Sequence, residues 1–427
     1  MMAHMSGKSK IEQVRSLVRD IMQEKKADLL PKKVNVSWPV FDEKEVLRAL
    51  ETLLDMRISQ GPMVREFEKL FAEYIGVKYA VAVNSGSSAN LLALATLIEA
   101  GDVALGSEVI VPAATFSTVA SPIIQLGLIP VYVDVDQYSW NIDPREIEKA
   151  LSSKTRVIMP VHSMGNPADM PAIMKIAKKN KLIVLEDCCE AHGASIGSKI
   201  VGSFGDIATL SFFVAHNITT GEGGMVLTNS EKYKDILISL REFGRLPQEI
   251  VINQRFTYGD PVLGKYDARY IFERLGYNVR MTDIAAALGI EQFKKLGRLN
   301  QVRVSIVKKY QEAFKKYSKF ILLPEIRKNT VHNFYGYLFV IKEGATFKRQ
   351  EFVDFLESKD IETRPFFAGC LPDQPAFRDK PKRVVGKLPI SRSLRDNAIF
   401  IGCHPALTNE HVRRVIDTFK IFFKRFV

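Results

Sequence analysis

The 427-residue sequence predicts an α/β protein, with a large domain on a central, mostly parallel sheet flanked by helices and a smaller C-terminal α+β domain. Two observations carry this expectation. Between residues 79 and 228, short apolar runs rich in β-branched residues alternate with helix-length runs, as buried strands joined by helical crossovers do. Beyond about residue 296 a long helical stretch leads into a region where strand and helix signals mix, and the chain is long enough for a second lobe. The expected divisions are 1–35 for a helical extension, 36–296 for the large domain and 297–427 for the small one.

The elements follow in order. Ile11, Val14, Leu17, Val18 and Ile21 form the stripe of an amphipathic helix over 11–25. Asp42 is an expected N-cap for a helix running to about residue 56, and Pro62 suits the first turn of a third helix that ends at Gly76. Strands are expected at 79–83, 109–111, 131–135, 157–161, 182–185, 208–213 and 225–228, with helices at 89–100 and 171–179 among them. In the second lobe a strand is expected at 334–341 and a helix at 349–358.

Composition narrows the function classes. The chain is 46% hydrophobic and 25% charged, an ordinary globular balance. No run approaches the roughly 18 apolar residues of a membrane span, and no secretory signal is evident, so a cytoplasmic protein with no membrane partner is expected. The net charge of +12 suits an anionic small substrate. No zinc-finger spacing and no basic run interleaved with aromatics is present, so no nucleic-acid partner is expected. Cys188, Cys189, Cys370 and Cys403 make no disulfide framework, which fits a reducing compartment, and no metal-ligand grouping is evident.

Three motifs are able to carry chemistry. The run 84–90, Asn-Ser-Gly-Ser-Ser-Ala-Asn, follows a strand and opens a helix, where small residues let amides approach an anion; an ordinary capped helix start reads the same way. Asp187, in Glu186-Asp187-Cys188-Cys189-Glu190, stands at the end of an apolar strand, where open α/β sheets bind ligands. A buried carboxylate there needs a cation, either a protonated pyridine nitrogen or a neighbouring Lys or Arg. His216 follows the strand ending near Ser211 and precedes the Gly-rich turn Thr220-Gly221-Glu222-Gly223-Gly224. With an ordinary pKa of about 6.5 it suits general-base work, although a lone loop histidine is as readily structural.

In this order and spacing, the three motifs resemble the sugar aminotransferases among the fold-type-I pyridoxal-phosphate enzymes. Thr115-Phe116, Pro160-Val161-His162, the run 276–281 and Arg364-Pro365-Phe366-Phe367 extend the likeness from about residue 36 to the C-terminus. The resemblance implies an aminotransferase-like fold in which Gly86, Ser87 and Ser211 hold the cofactor phosphate and Phe116 stacks on the pyridine ring. It also implies that Asp187 pairs with the ring nitrogen and that Glu190 lies near the ring's substituents. Asn278 would reach the phosphate of a neighbouring subunit, implying a homodimer with shared sites. His162 is expected to border the site, Arg364 to meet the substrate, and His192, His404 and His411 to be structural or exposed.

One position departs from the aminotransferases. Five residues after Ser211 they carry the lysine that forms a Schiff base with the cofactor, and here that residue is His216. An imidazole has no primary amine, so pyridoxal phosphate cannot be held that way, whereas pyridoxamine phosphate can be bound and served by an acid–base group. The same substitution, with Cys188-Cys189 and the turn at 220–224, is similar to the 3-dehydratases of nucleotide-linked 4-keto-6-deoxy sugars, those of GDP-4-keto-6-deoxymannose and CDP-4-keto-6-deoxyglucose among them. The helical extension resembles that of the CDP-sugar enzyme. Some members carry a [2Fe–2S] cluster on cysteines in the loop after the Gly-rich turn; residues 243–266 contain none, so no cluster is expected and the cluster-free route is favoured over a reductase-coupled one. The implied reaction is removal of the C3 hydroxyl with His216 as acid and base and an amino acid, glutamate, restoring the amine. An aminotransferase lacking its lysine, or a non-catalytic sensor of cofactor or sugar nucleotide, remains the alternative.

Overall fold

Residues 7–246, 248–253 and 257–426 are described by a computed structural model. The chain starts with α1 (Gly7–Glu24), whose apolar stripe stays largely exposed and which is tied to α2 (Glu43–Leu54) by an Arg15–Glu51 ion pair of 2.7 Å. Asp42 caps α2 in a capping box with Glu45, as its sequence suggests. Helix α3 (Pro62–Ile75) has proline in its first turn and ends where Gly76 takes φ of +82°.

The large sheet is laid down next. In chain order come β1 (Tyr79–Val83), α4 (Gly86–Glu99), β2 (Glu108–Pro112), α5 (Ser117–Gln125), β3 (Ile129–Val133) and α6 (Pro144–Ala150). They are followed by β4 (Thr155–Ile158), α7 (Met170–Asn180), β5 (Ile183–Asp187), a hairpin of β6 (Ser195–Ile196) and β7 (Lys199–Ile200), then β8 (Ile207–Ser211), β9 (Gly224–Thr228) and α8 (Glu231–Arg241). The strand order is β1-β9-β8-β5-β4-β2-β3, extended at its far edge by Arg383–Val384 beside β3. Pairing is parallel from β8 across to that edge, and β9 runs antiparallel to both β1 and β8. Alternation along β2 shows why both faces are covered: Val109 and Val111 pack into the core under α4, while Ile110 packs into the one under α6 and α7.

After a short helix α9 (Gln248–Asn253) and a hairpin formed by Thr257–Asp260 and Gly264–Asp267, helix α10 (Asp283–Phe314) runs for 32 residues. Its first part packs against α2 and α3 and its later part lies on the C-terminal region. There an antiparallel sheet in the order Ile321–Leu322, Tyr337–Ile341, Ala398–Ile401, Thr363–Arg364 is covered by helices Arg349–Glu357 and Asn409–Phe423. Phenylalanines fill the space between, with Phe314 stacked on Phe419 at 3.9 Å between ring centroids. No helix among the described residues is long and apolar enough to cross a membrane.

Candidate active site

Ligands of open α/β sheets bind beyond the C-terminal ends of the strands, and here those of β1, β5 and β8 converge. Gly224 of β9 pairs with Val83 of β1 on one side and with Ser211 of β8 on the other, which draws the start of α4 against Ser211. The approach is close enough to require glycine: a Cβ at Gly86 would stand 2.5 Å from that of Ser211. Ser85 caps α4 by accepting from the Ser88 N–H at 3.1 Å. The amides of Gly86 and Ser87, in the first turn, have no acceptor within the helix and are suited to an anion.

A cavity of about 650 Å³ opens at these strand ends. Gly86, Ser87, Phe116, Asp187, Glu190, Ser211 and His216 all line it, as does Arg364. Asn278 does not; it is exposed, on the strand-like segment whose Val279 carbonyl accepts from the Asn84 N–H at 2.8 Å. No lysine is among the lining residues.

Asp187 ends β5 with its carboxylate nearly buried. It accepts from Asn90 Nδ2 at 2.9 Å and from the Cys189 N–H at 3.0 Å, and Asn90 is itself fixed by the Thr209 hydroxyl at 2.7 Å. Among the described residues no Lys, Arg or His pairs with this carboxylate, so the neighbouring-cation alternative is not realised within the chain. Glu190, three residues on, is buried and accepts from the Met164 N–H at 2.7 Å. Burial, against that hydrogen bond and aided by the charge of Asp187, pushes its carboxyl up to about 8, so it is protonated at neutral pH.

His216 is half-buried in the cavity lining, with its ring centroid 5.3 Å from that of Tyr335 and 5.9 Å from that of His192. Burial first, then His192 and the positive charge of Arg303 behind it, hold its pKa well below the usual histidine value, so it is a neutral base. Phe116 is half-exposed into the cavity, edge-on to Phe367 at 6.2 Å.

His162 corrects an expectation. It is fully buried: Nδ1 accepts from the Ala168 N–H at 3.0 Å, so Nε2 carries the proton and donates to Glu186 at 3.1 Å. It supports the wall from behind Val161 and Ser163 instead of bordering the cavity. Burial opposes charge on Glu186, yet His162 and the amides of Gly202 and Gly205 hold its pKa below the carboxylate range. Among the described residues His162, Glu186 and Cys188 form one group compact enough for a metal, but all three are buried and the first two already have partners. The sequence offers no role for Asn90, although it closes the 84–90 run, and none for Tyr335 or Arg303; the pairings that bring them here span the chain and leave no local pattern.

Comparison with known proteins extends this geometry. Residues 40–420 match the DegT/DnrJ/EryC1/StrS aminotransferase family. The lipopolysaccharide biosynthesis protein RfbH of Salmonella typhimurium is 39% identical, covering 91% of this chain and 91% of that protein. The dTDP-4-dehydro-2,6-dideoxy-D-glucose 3-dehydratase of Saccharopolyspora spinosa is 36% identical, covering 91% of this chain and 86% of its own. Among solved structures, the E. coli GDP-4-keto-6-deoxy-D-mannose-3-dehydratase with bound hydrated PLP superposes with a TM-score of 0.82 at 30% identity, over 91% of this chain and 99% of that one. The aminotransferase-like fold expected from the sequence is the one observed.

Proposed function

The chain belongs to the DegT/DnrJ/EryC1/StrS aminotransferase family, and we propose that within it this protein is a pyridoxamine-phosphate-dependent 3-dehydratase of a nucleotide-linked 4-keto-6-deoxyhexose. The observation that carries this reading is a neutral imidazole at residue 216 in a cavity whose lining holds no lysine. The residues fit a phosphorylated pyridine: the amides of Gly86 and Ser87 and the Ser211 hydroxyl suit the phosphate, and the missing Cβ at Gly86 is what lets this turn lie against Ser211. Asp187, a buried carboxylate with no cationic partner among the described side chains, suits the protonated ring nitrogen. Phe116 offers a face for stacking.

When bound, the cofactor supplies an amine for the sugar's C4 ketone and an electron-withdrawing ring. The chain's residues do the rest. Asp187 keeps the proton on the ring nitrogen, His216 takes a proton from the cofactor's methylene carbon, and the imidazolium returns one to the departing C3 hydroxyl. Glu190, protonated, is a hydrogen-bond donor rather than a second anion beside Asp187. The net reaction would convert the keto sugar and glutamate into the 3-deoxy-4-keto sugar, 2-oxoglutarate and ammonia, with glutamate as the two-electron reductant. Arg364 and Phe367 at the mouth suit the nucleotide. Asn278, exposed and outside its own chain's cavity, fits a homodimer in which it serves the neighbouring site. The four free cysteines suit work in the cytoplasm, and the likeness to RfbH suggests a deoxysugar for a surface polysaccharide.

The test is incubation with pyridoxamine phosphate, glutamate and GDP-, CDP- and dTDP-linked 4-keto-6-deoxysugars, products being read by mass. A 3-deoxy-4-keto product is expected; an amino sugar that keeps its C3 hydroxyl would make the protein an aminotransferase instead. His216→Asn is expected to lose about 10²–10⁴-fold in dehydration while still binding cofactor.

A further inference from the structure

Arg303 lies on the buried face of α10 and does not line the cavity. Its Nη1 donates to the carbonyls of Phe334 and Tyr335 at 3.2 and 3.0 Å, and its Nη2 donates to the carbonyl of His216 at 3.3 Å. It is buried beside Cys403 and Tyr335, and among the described residues no carboxylate pairs with it. A buried guanidinium without a counter-ion is costly, and a chain needing only glue there would be better served by a neutral side chain. One turn earlier on the same face, Asn300 donates to the carbonyl of His192 at 2.9 Å and accepts from Asn217 Nδ2 at 2.8 Å. The two residues grip both histidine-bearing segments from behind.

We propose that Arg303 is the positioning residue of this site: it ties the main chain of His216 to Phe334 and Tyr335, and its fixed charge opposes a second positive charge on the imidazole. This rests on the reading of His216 as the proton-transfer group. The groups that face His216 are His192 from the segment after β5, Arg303 from α10 and Tyr335 from the C-terminal region, with Asp187, Glu190, Glu222 and Arg364 around the cavity. Burial pushes His192 down to about 4, so it is neutral where the enzyme works. Arg303 is then the fixed cation behind the imidazole. A nearby cation lowers a histidine pKa, so its removal raises it, and the base becomes protonated at higher pH.

The experiment uses the full-length protein labelled with ¹⁵N-histidine, the His216 signal being assigned by its absence in His216→Asn. Arg303→Gln is expected to raise the His216 pKa by about one unit and to carry the acid limb of kcat with it. Arg303→Lys keeps the charge but not the three-carbonyl clasp; it is expected to leave that pKa unchanged and to lower kcat about tenfold at constant KM. An unmoved His216 pKa in Arg303→Gln overturns the proposal, as does wild-type kcat, or a change in KM alone, in Arg303→Lys. If melting shows Arg303→Gln to be unfolded, the lysine variant alone decides. The titration needs no substrate, so a wild type that makes no 3-deoxy product would sink the dehydratase reading and leave the Arg303 measurement intact.

Discussion

Asp187 shows how one carboxylate is held in place for its proposed task by the groups around it. Asn90 and the Cys189 amide fix the carboxylate, and Thr209 fixes Asn90 in turn. Asp187→Asn preserves shape but removes the charge that would balance a protonated ring. Dehydration is expected to fall at least about 10²-fold, with weaker cofactor binding seen as a shifted titration of the cofactor absorbance. Glu190 gives a prediction with a sign. Its carboxyl, pushed up to about 8, donates below that pH and becomes a second anion beside Asp187 above it, so kcat is expected to decline on the basic side near pH 8. Glu190→Gln keeps a donor and cannot ionise, so the basic limb should vanish; its persistence would assign that limb to another group. Asp187 and His216 were legible because each sits in a local motif. Asn90 also lies in such a motif, but its task did not show there, for its partner is 97 residues away and only the folding of the sheet brings the two together.

The elements were legible where their pattern is periodic and local. The strands of the parallel core were expected within a few residues of where they lie, since each is a short apolar run. Helix α4 was expected to begin at 89 and begins at Gly86, because the small polar residues of its first turn carry no hydrophobic period. Helix α5 went unread; Pro122 stands inside it and obscures the signal. Helix α10 starts at Asp283 rather than near 296, since its first turns are buried against both α2 and α3 and show no single apolar stripe. The reversed direction of β9 is set by register and could not be read, yet it is what brings Gly86 against Ser211. Gly86→Ala is therefore expected to displace the start of α4 or the Ser211 side chain, an overpacking of about 1–3 kcal/mol. Cofactor affinity, measured by titrating the purified protein, should fall by about 10–100-fold. An unchanged affinity would mean that the phosphate does not use this turn.

Across the whole molecule, acid stability and assembly are coupled to the same architecture. Burial pushes His192, His332 and His404 down to about 4, 3 and 3. Folded values below the unfolded value of about 6.5 mean that the stabilisation is full above pH 6.5 and is lost as pH falls toward those values. Each histidine then removes about 1.4 kcal/mol per pH unit, so a steep drop in Tm is expected between pH 6.5 and 4.5; a flat profile there would mean that these imidazoles find protons or water in the folded state. The proposed homodimer makes a separate claim. If each site takes His216 from one subunit and Asn278 from its partner, a dimer of His216→Asn with Asn278→Asp contains one site with both defects and one with neither. Asn278→Asp should itself be weak, because its carboxylate would face the phosphate. Mixing the two variants under conditions that let subunits exchange makes about half of the dimers mixed. Activity should then rise from near zero to about a quarter of wild type. If exchange is verified by mass and activity does not rise, Asn278 serves its own chain or no site at all, and the shared-site arrangement is wrong.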